Sequence, residues 1–400
     1  MSEPSHDELA RVVRDHAGRL AAALVPLVGS FTAAEDLVQD AVEAALTHWP
    51  FEGIPERPDA WLYTVARRRG LDLIRRDHRH HSKLALVAWP AGPEPDDRLR
   101  LIFTCCHPAL PRTAQVALTL RVVCGLTTAQ IAKAFLVPET TVAQRITRAK
   151  RKISDAGIPY RIPGPDELAE RLDEVLTAIY LLFNEGYRPS TGHTEPGRDL
   201  TDDAEFIAAL LHQLMPTEPE VMGLLALIRL HRARATTRYS CAGELIQLPD
   251  QDRSRWDHTA IAAAGRLIAR AAAHRRPGPY QLQAAIVACH AEAERWEDTD
   301  WTQIVVLYDL LLHLAPSPVI RLHRAVALRY VTGRAAALAE LDNLAGDLAD
   351  YHLFHAARAE LLRALDRPDD AHAADQRALE LTSNPAEQRL LHRRLDQRSL

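Results

Sequence analysis

Three observations predict an all-α protein. Ala, Leu, Arg and Glu dominate the 400 residues, Val/Ile/Thr alternation is almost absent, and apolar residues recur at three-to-four spacing in most windows. At roughly 150 residues per domain the length suggests two or three domains. Hydrophobic residues make up 47% of the chain, enough for sizeable cores, which excludes global disorder.

The elements follow in order. Residues 7–28 read as a first helix, broken near Gly29. Thr32, followed by Glu35 and Asp36, reads as the N-cap and acidic first turn of a helix to about Trp49. Pro50 to Asp59 is expected as a loop, and helix returns from Ala60 to about Arg79. Residues 81–97 contain WPAGPEPDD and read as a linker. Short helices are expected over Leu99–Cys106, Pro111–Cys124, Thr127–Phe135 and Thr140–Ile153. A second break, GIPYRIPGPDE, precedes helices that continue to the C-terminus. These breaks divide the chain into residues 1–80, a linker over 81–97, residues 98–156 and residues 157–400.

A weak repeat appears near the C-terminus. Aligned at an offset of 34, Ala325 falls on Ala359, Leu328 on Leu362, Gly333 on Arg367 and Ala337 on Ala371. Helix, tight turn and Ala-rich helix at that period match a tetratricopeptide (TPR) repeat, although the full Trp/Leu/Gly/Tyr signature is missing.

The net charge of −5 conceals an asymmetry. Residues 1–160 hold 21 Lys and Arg against 18 Asp and Glu, whereas residues 161–400 hold 27 against 35. A basic N-terminal part points to a polyanion partner. The five cysteines are scattered and form no C-x-x-C pair, so they read as small buried residues in a reducing compartment. The N-terminus is polar and acidic, and no run of 18 apolar residues occurs. A soluble, cytoplasmic protein with no membrane contact is expected.

Residues 125–153 form the sharpest local signal. Thr127 can cap a short helix with Ile131, Ala132 and Phe135 on its apolar face. Leu136 to Glu139 make a turn, and Thr140 or Thr141 caps a second helix with Val142, Ile146 and Ile153 inward. Arg145, Arg148, Lys150, Arg151 and Lys152 are expected outward or near its end. This is a helix-turn-helix whose second helix suits a major groove. Thr140, Thr141 and Gln144 can reach base edges, and the basic residues meet phosphates.

Two further segments carry weaker signals. In Ala60–Arg79, Trp61, Leu62, Val65, Leu71 and Ile74 supply a packing face beside Arg67, Arg68, Arg69, Arg75, Arg76 and Arg79. Aromatics among arginines suit single-stranded DNA, where bases stack and phosphates pair. In Ala34–Trp49, Asp36, Gln39, Asp40 and Glu43 form a polar stripe bordered by Leu37, Val38 and Val42. Taken alone, each segment also reads as an ordinary solvated helix.

In this order, the three segments resemble the extracytoplasmic-function (ECF) sigma factors of bacterial RNA polymerase. EDLVQDAVEAAL resembles their core-polymerase-binding segment in region 2, AWLYTVARRRGLDLIRR their −10 reading and melting segment, and LTTAQIAKAFLVPETTVAQRITRAKRKI region 4, which reads the −35 element. The resemblance departs at Arg68, where the family usually has Asn. It implies a region-2 helical bundle, a region-4 helix-turn-helix domain, and two partners, core RNA polymerase and promoter DNA. Asp36, Leu37, Gln39, Asp40 and Glu43 would bind core. Trp61, Tyr63, Arg67, Arg68, Arg75 and Arg76 would serve the −10 element. Thr140, Thr141, Gln144, Arg145, Arg148, Lys150 and Arg151 would serve the −35 element. GELIQLPDQDRSRWD, GPYQLQAAIVACHAEA, DTDW and YHLFHAARAELLRAL resemble a subgroup with a long helical, TPR-containing C-terminal extension. Its acidic balance opposes the basic DNA-reading helices and suggests an intramolecular contact that regulates them in cis.

No Gly-rich phosphate loop, nucleophile elbow or metal motif appears. Adjacent Cys105, Cys106 and His107 lack the second ligand pair that zinc needs. The charged run Asp250–Asp257 is expected to be a helix start with an ion-pair network, the rival being paired carboxylates in an active site. A non-enzyme without cofactor or metal follows. The alternative function is a conventional helix-turn-helix regulator with a TPR-like sensor, which needs neither an acidic polymerase-binding helix nor a melting helix.

Overall fold

The computed structural model describes residues 17, 20–78, 95–188 and 200–396, apart from residues 22, 26, 136, 159 and 242. The expected linker over 81–97 lies largely outside the described residues. Those residues are helical, with one isolated antiparallel bridge between Tyr239 and Leu245 and no strand among them. None of their helices is long and apolar enough to cross a membrane. They divide into two compact units, the second beginning at Leu211.

In the first unit, Gly29 takes φ +67°, a backbone state that L side chains avoid, and ends the preceding helical stretch. Helix α1 then runs Phe31–Glu52. Its N-cap is Ser30, whose hydroxyl accepts from Ala33 N at 3.4 Å, so the helix starts before the expected Thr32. Pro50 lies inside the last turn instead of opening the loop, and Gly53 at φ +85° closes the helix. Helix α2 spans Pro58–His78 and returns antiparallel to α1. Ala34, Leu37, Ala41, Ala45 and Trp49 are buried on α1, and Leu62, Ala66 and Gly70 on α2. Gly70 permits close approach, because a Cβ there would lie 2.9 Å from a methyl of Leu37. Trp61, Val65, Leu71 and Ile74, expected as the packing face of α2, are only half-buried and flank that seam.

Helices α3 (Pro95–Cys105), α4 (Arg112–Val122), α5 (Thr128–Phe135) and α6 (Glu139–Asp155) follow. Helix α4 is nearly all buried and forms the centre, where apolar Ala114, Val116, Ala117, Leu118 and Leu120 meet the other helices. Thr127 caps α5 as expected, and the cap is reciprocal: Gln130 N donates to Thr127 Oγ1 at 3.2 Å, and Thr127 N donates to Gln130 Oε1 at 2.8 Å. Helix α6 begins one residue earlier than expected. Pro138 occupies its N-cap position without a side-chain bond, so neither Thr140 nor Thr141 is the cap. Helix α7 (Pro165–Tyr187) lies beyond the expected boundary at residue 157, yet it packs on α3, α4 and α5 within the same unit. Helix α8 spans Leu200–Leu214.

The second unit centres on α9 (Pro219–Arg232), which is buried along most of its length between α10 (His258–Ala273) and α11 (Pro279–Glu292). The Glu220 carboxylate accepts from Tyr280 N (2.9 Å) and Gln281 N (3.1 Å), which satisfies two orphan donors at the start of α11. Beyond α12 (Trp301–Leu314) come α13 (Pro318–Leu328), α14 (Arg334–Asp342), α15 (His352–Ala364), α16 (Pro368–Leu381) and α17 (Pro385–Asp396). The α13–α14 and α15–α16 hairpins start 34 residues apart. Ala325 and Ala359 are fully buried at equivalent points, as are Ala337 and Ala371.

The Asp250–Asp257 run does begin a helix, since Asp257 Oδ1 caps α10 through Ala260 N at 2.9 Å. The expected ion-pair network is replaced by other contacts. Arg253 donates to the carbonyls of His290 (2.6 Å) and Ala293 (2.7 Å) and lies 4.8 Å over the Trp256 ring. Trp256 in turn donates from Nε1 to Thr237 Oγ1 at 2.9 Å. Cys105 and Cys106 are buried free thiols, and burial pushes the Cys106 thiol up to about 12.

Candidate nucleic-acid interface

Helix α6 has a two-sided pattern. Val142, Ile146, Ala149 and Ile153 are buried, and their three-to-four spacing places them on one face. Thr140, Gln144, Thr147, Arg148 and Arg151 are exposed and project from the opposite side. Arg151 lies 3.4 Å from Asp155 one turn on, a surface pair of little strength. Thr141 and Arg145 are half-buried on one flank, and Lys152 is exposed. The outward stripe thus offers two hydroxyls, one amide and two guanidinium groups over about three helical turns. That set can donate to phosphate oxygens and reach base edges.

Lys150 is placed differently. Its ammonium donates to both carboxylate oxygens of Glu35 on α1, at 2.5 Å each, and its side chain is only 17% exposed. Of the expected phosphate-binding residues on α6, this one is already occupied.

On α1, Asp36, Gln39 and Glu43 are exposed on one stripe. Asp40 is half-buried and pairs with Arg69 of α2 at 3.3 Å. Leu37, expected on the same surface, is buried at 5% exposure, because Gly70 opposite leaves room for its side chain. On α2, Arg68 and Arg75 are exposed, Arg75 being 3.6 Å from Asp72, while Trp61, Tyr63 and Arg67 are half-buried. Trp61 meets Trp49 edge-on with centroids 5.5 Å apart, so its ring both braces the α1–α2 pair and keeps an accessible face. The side chain of Arg76 lies outside the described residues.

The structure therefore brings Asp36, Gln39 and Glu43 onto one surface of α1, and Thr140, Gln144, Arg148 and Arg151 onto one surface of α6. Glu35 was read from the sequence only as a first-turn acid of α1, and the charged residues of α7 were not singled out. Glu35 and Lys150 are 115 residues apart, and no local pattern links them.

Residues 12–80 match the family model of sigma-70 region 2, and residues 100–153 match that of sigma-70 region 4. Residues 171–272 match DUF6596, a family of unknown function. An uncharacterised protein of Rhizobium meliloti (strain 1021) is 45% identical over 378 residues, which cover 91% of this chain and 89% of that one. No solved structure matches the chain. The chain belongs to one family with the Rhizobium protein, and its sigma-70 region 2 and region 4 domains, followed by a DUF6596 domain, are those of a sigma factor.

Proposed function

We propose that this protein is an ECF-type sigma factor that binds core RNA polymerase, reads a two-part promoter and helps to open it. The observation that carries the reading is the pairing, in one chain, of a region-2 helix pair with an exposed acidic stripe and a region-4 helix-turn-helix with an exposed Thr/Gln/Arg stripe. In this reading Asp36, Gln39, Asp40 and Glu43 contact core. Trp61, Tyr63, Arg67, Arg68, Arg75 and Arg76 meet the −10 strand, where aromatic rings stack on bases and guanidinium groups pair with phosphates. Thr140, Thr141, Gln144, Arg145, Arg148 and Arg151 meet the −35 element. Polymerase, not this chain, makes RNA.

The extension from residue 157 is read as a TPR-like array that regulates the sigma part in cis. The 34-residue offset of its buried alanines supports the array. Tethering makes any contact with the sigma part effectively intramolecular. A positive role is favoured, because α7 is packed into the first unit as a permanent element.

Reversal of Asp36 and Asp40 to Lys tests the core contact. The double variant is expected to co-purify with core polymerase at reduced yield, a loss of a few kcal/mol at most for partly exposed pairs. Co-purification equal to that of the unaltered chain would refute the assignment of this surface.

A further inference from the structure

We propose that Arg171, Glu174 and Glu185 make α7 a positioning element for −35 reading, so that the extension acts on −35 and not on −10 recognition. The inference rests on the sigma reading above and adds to it the route by which the extension acts.

Helix α7 begins before the DUF6596 match and continues into it. Its apolar side, including Leu172, Val175, Leu176, Ile179, Leu182 and Phe183, is buried. Three charged residues on the same helix are also buried, at 6–7% exposure. Long charged side chains are seldom buried without a specific partner. Each of these three reaches a different helix of the region-4 match. Arg171 donates from Nη1 to the Phe103 carbonyl of α3 at 2.8 Å. Glu174 pairs with Arg112 of α4 at 2.5 Å. Glu185 accepts from Gln130 Nε2 of α5 at 3.2 Å.

The third tie bears directly on DNA reading. Gln130 is the reciprocal partner of the Thr127 cap on the first helix of the helix-turn-helix. Its Oε1 accepts from Thr127 N and Thr127 Oγ1, at 2.8 and 2.9 Å, while its Nε2 goes to Glu185. One amide therefore closes the cap and fixes α5 on α7. Helix α5 packs on α6, the proposed −35 reader, so the register of α6 is set partly from the extension. The same C-terminal end of α7 is also held against α8. A Cβ on Gly186 would lie 2.8 Å from the Thr201 backbone nitrogen, so α7 and α8 are in backbone contact. The partners described above for these three buried charges, Phe103, Arg112 and Gln130, lie on α3, α4 and α5.

The test uses full-length protein in holoenzyme with purified core polymerase. Two affinities are measured, for duplex −35 DNA and for a single-stranded −10 oligonucleotide. Glu185→Ala is expected to weaken −35 binding roughly two- to tenfold, the effect of one lost hydrogen bond with a buried group, and to leave −10 binding unchanged. Glu185→Gln keeps the acceptor oxygen and is expected to restore −35 binding. Arg112→Ala removes an exposed side chain and weakens −35 binding in the same sense, so the inference stays testable if Glu185→Ala does not fold. Equal losses on both elements, or no loss in either alanine variant, would overturn the inference alone. Unaltered holoenzyme that binds neither element would overturn the sigma reading, and this inference with it.

Discussion

Lys150 of α6 donates to both oxygens of Glu35 on α1, and this ion pair links the region-2 helices to the region-4 helices. A cation held this way is poorly available to DNA, because leaving the carboxylate costs what the phosphate contact would return. Arg148, exposed on the outward stripe, has no such restraint. Arg148→Ala is therefore expected to lower the salt slope of −35 binding by about one, as loss of one phosphate contact does, and Lys150→Ala by less. Titrations of duplex binding across salt concentrations compare the two; equal slopes would contradict this ranking.

The same pair contributes modestly to stability. Lys150 is 17% exposed and Glu35 41%, so solvent screens much of the attraction. Glu35→Ala should cost at most about 1 kcal/mol in urea unfolding of the first unit. A double-mutant cycle with Lys150→Ala should show coupling of that size, and additive losses would refute the pairing.

Two buried helical glycines should respond differently to Ala. In an unconstrained helix interior the change favours folding by about 1 kcal/mol. At Gly70 the new methyl meets the ends of Leu27 and Leu37 side chains, which can rotate away. At Gly223 it falls 2.6 Å from the backbone nitrogen of Gln281, which cannot. Gly223→Ala should lose about 1–3 kcal/mol, whereas Gly70→Ala should be near neutral. Thermal unfolding of the two variants checks the order.

His290 makes the second unit sensitive to acid. Burial, and then the charges of Arg234 and Arg253, hold its pKa down to about 4 from an ordinary 6.5. The folded chain refuses a proton that the unfolded chain accepts below pH 6.5. Stability is thus complete above that value and falls as the pH drops towards 4, by up to about 3 kcal/mol. His290→Gln should flatten the fall in that window, as read by unfolding free energy against pH. An unchanged profile would contradict this assignment.

Periodicity made most of the helices legible, and in α6 it also identified the buried face, because Val142, Ile146 and Ile153 are large and evenly spaced. It was less informative for α1. There the core side is Ala34, Ala41 and Ala45 around Leu37, and small residues look alike on either face, so Leu37 was taken for a surface residue. The start of α1 shifted because Ser30 and Thr32 are both competent caps, and Gly29 at positive φ selects the former. The partners of Lys150 and Glu185 lie 115 and 55 residues away, where no sequence spacing reaches. Helix α7 looked like part of a separate domain because a Pro/Gly-rich break precedes it, but its buried charges tie it to α3, α4 and α5.

The most direct test of the central claim is in vitro transcription with purified core polymerase and genomic DNA, with this protein as the sole specificity subunit. The account predicts discrete transcripts starting at promoters with separated −10 and −35 elements, reduced when Arg145 and Arg148 are both changed to Ala. Transcription no more specific than that of core alone would contradict it.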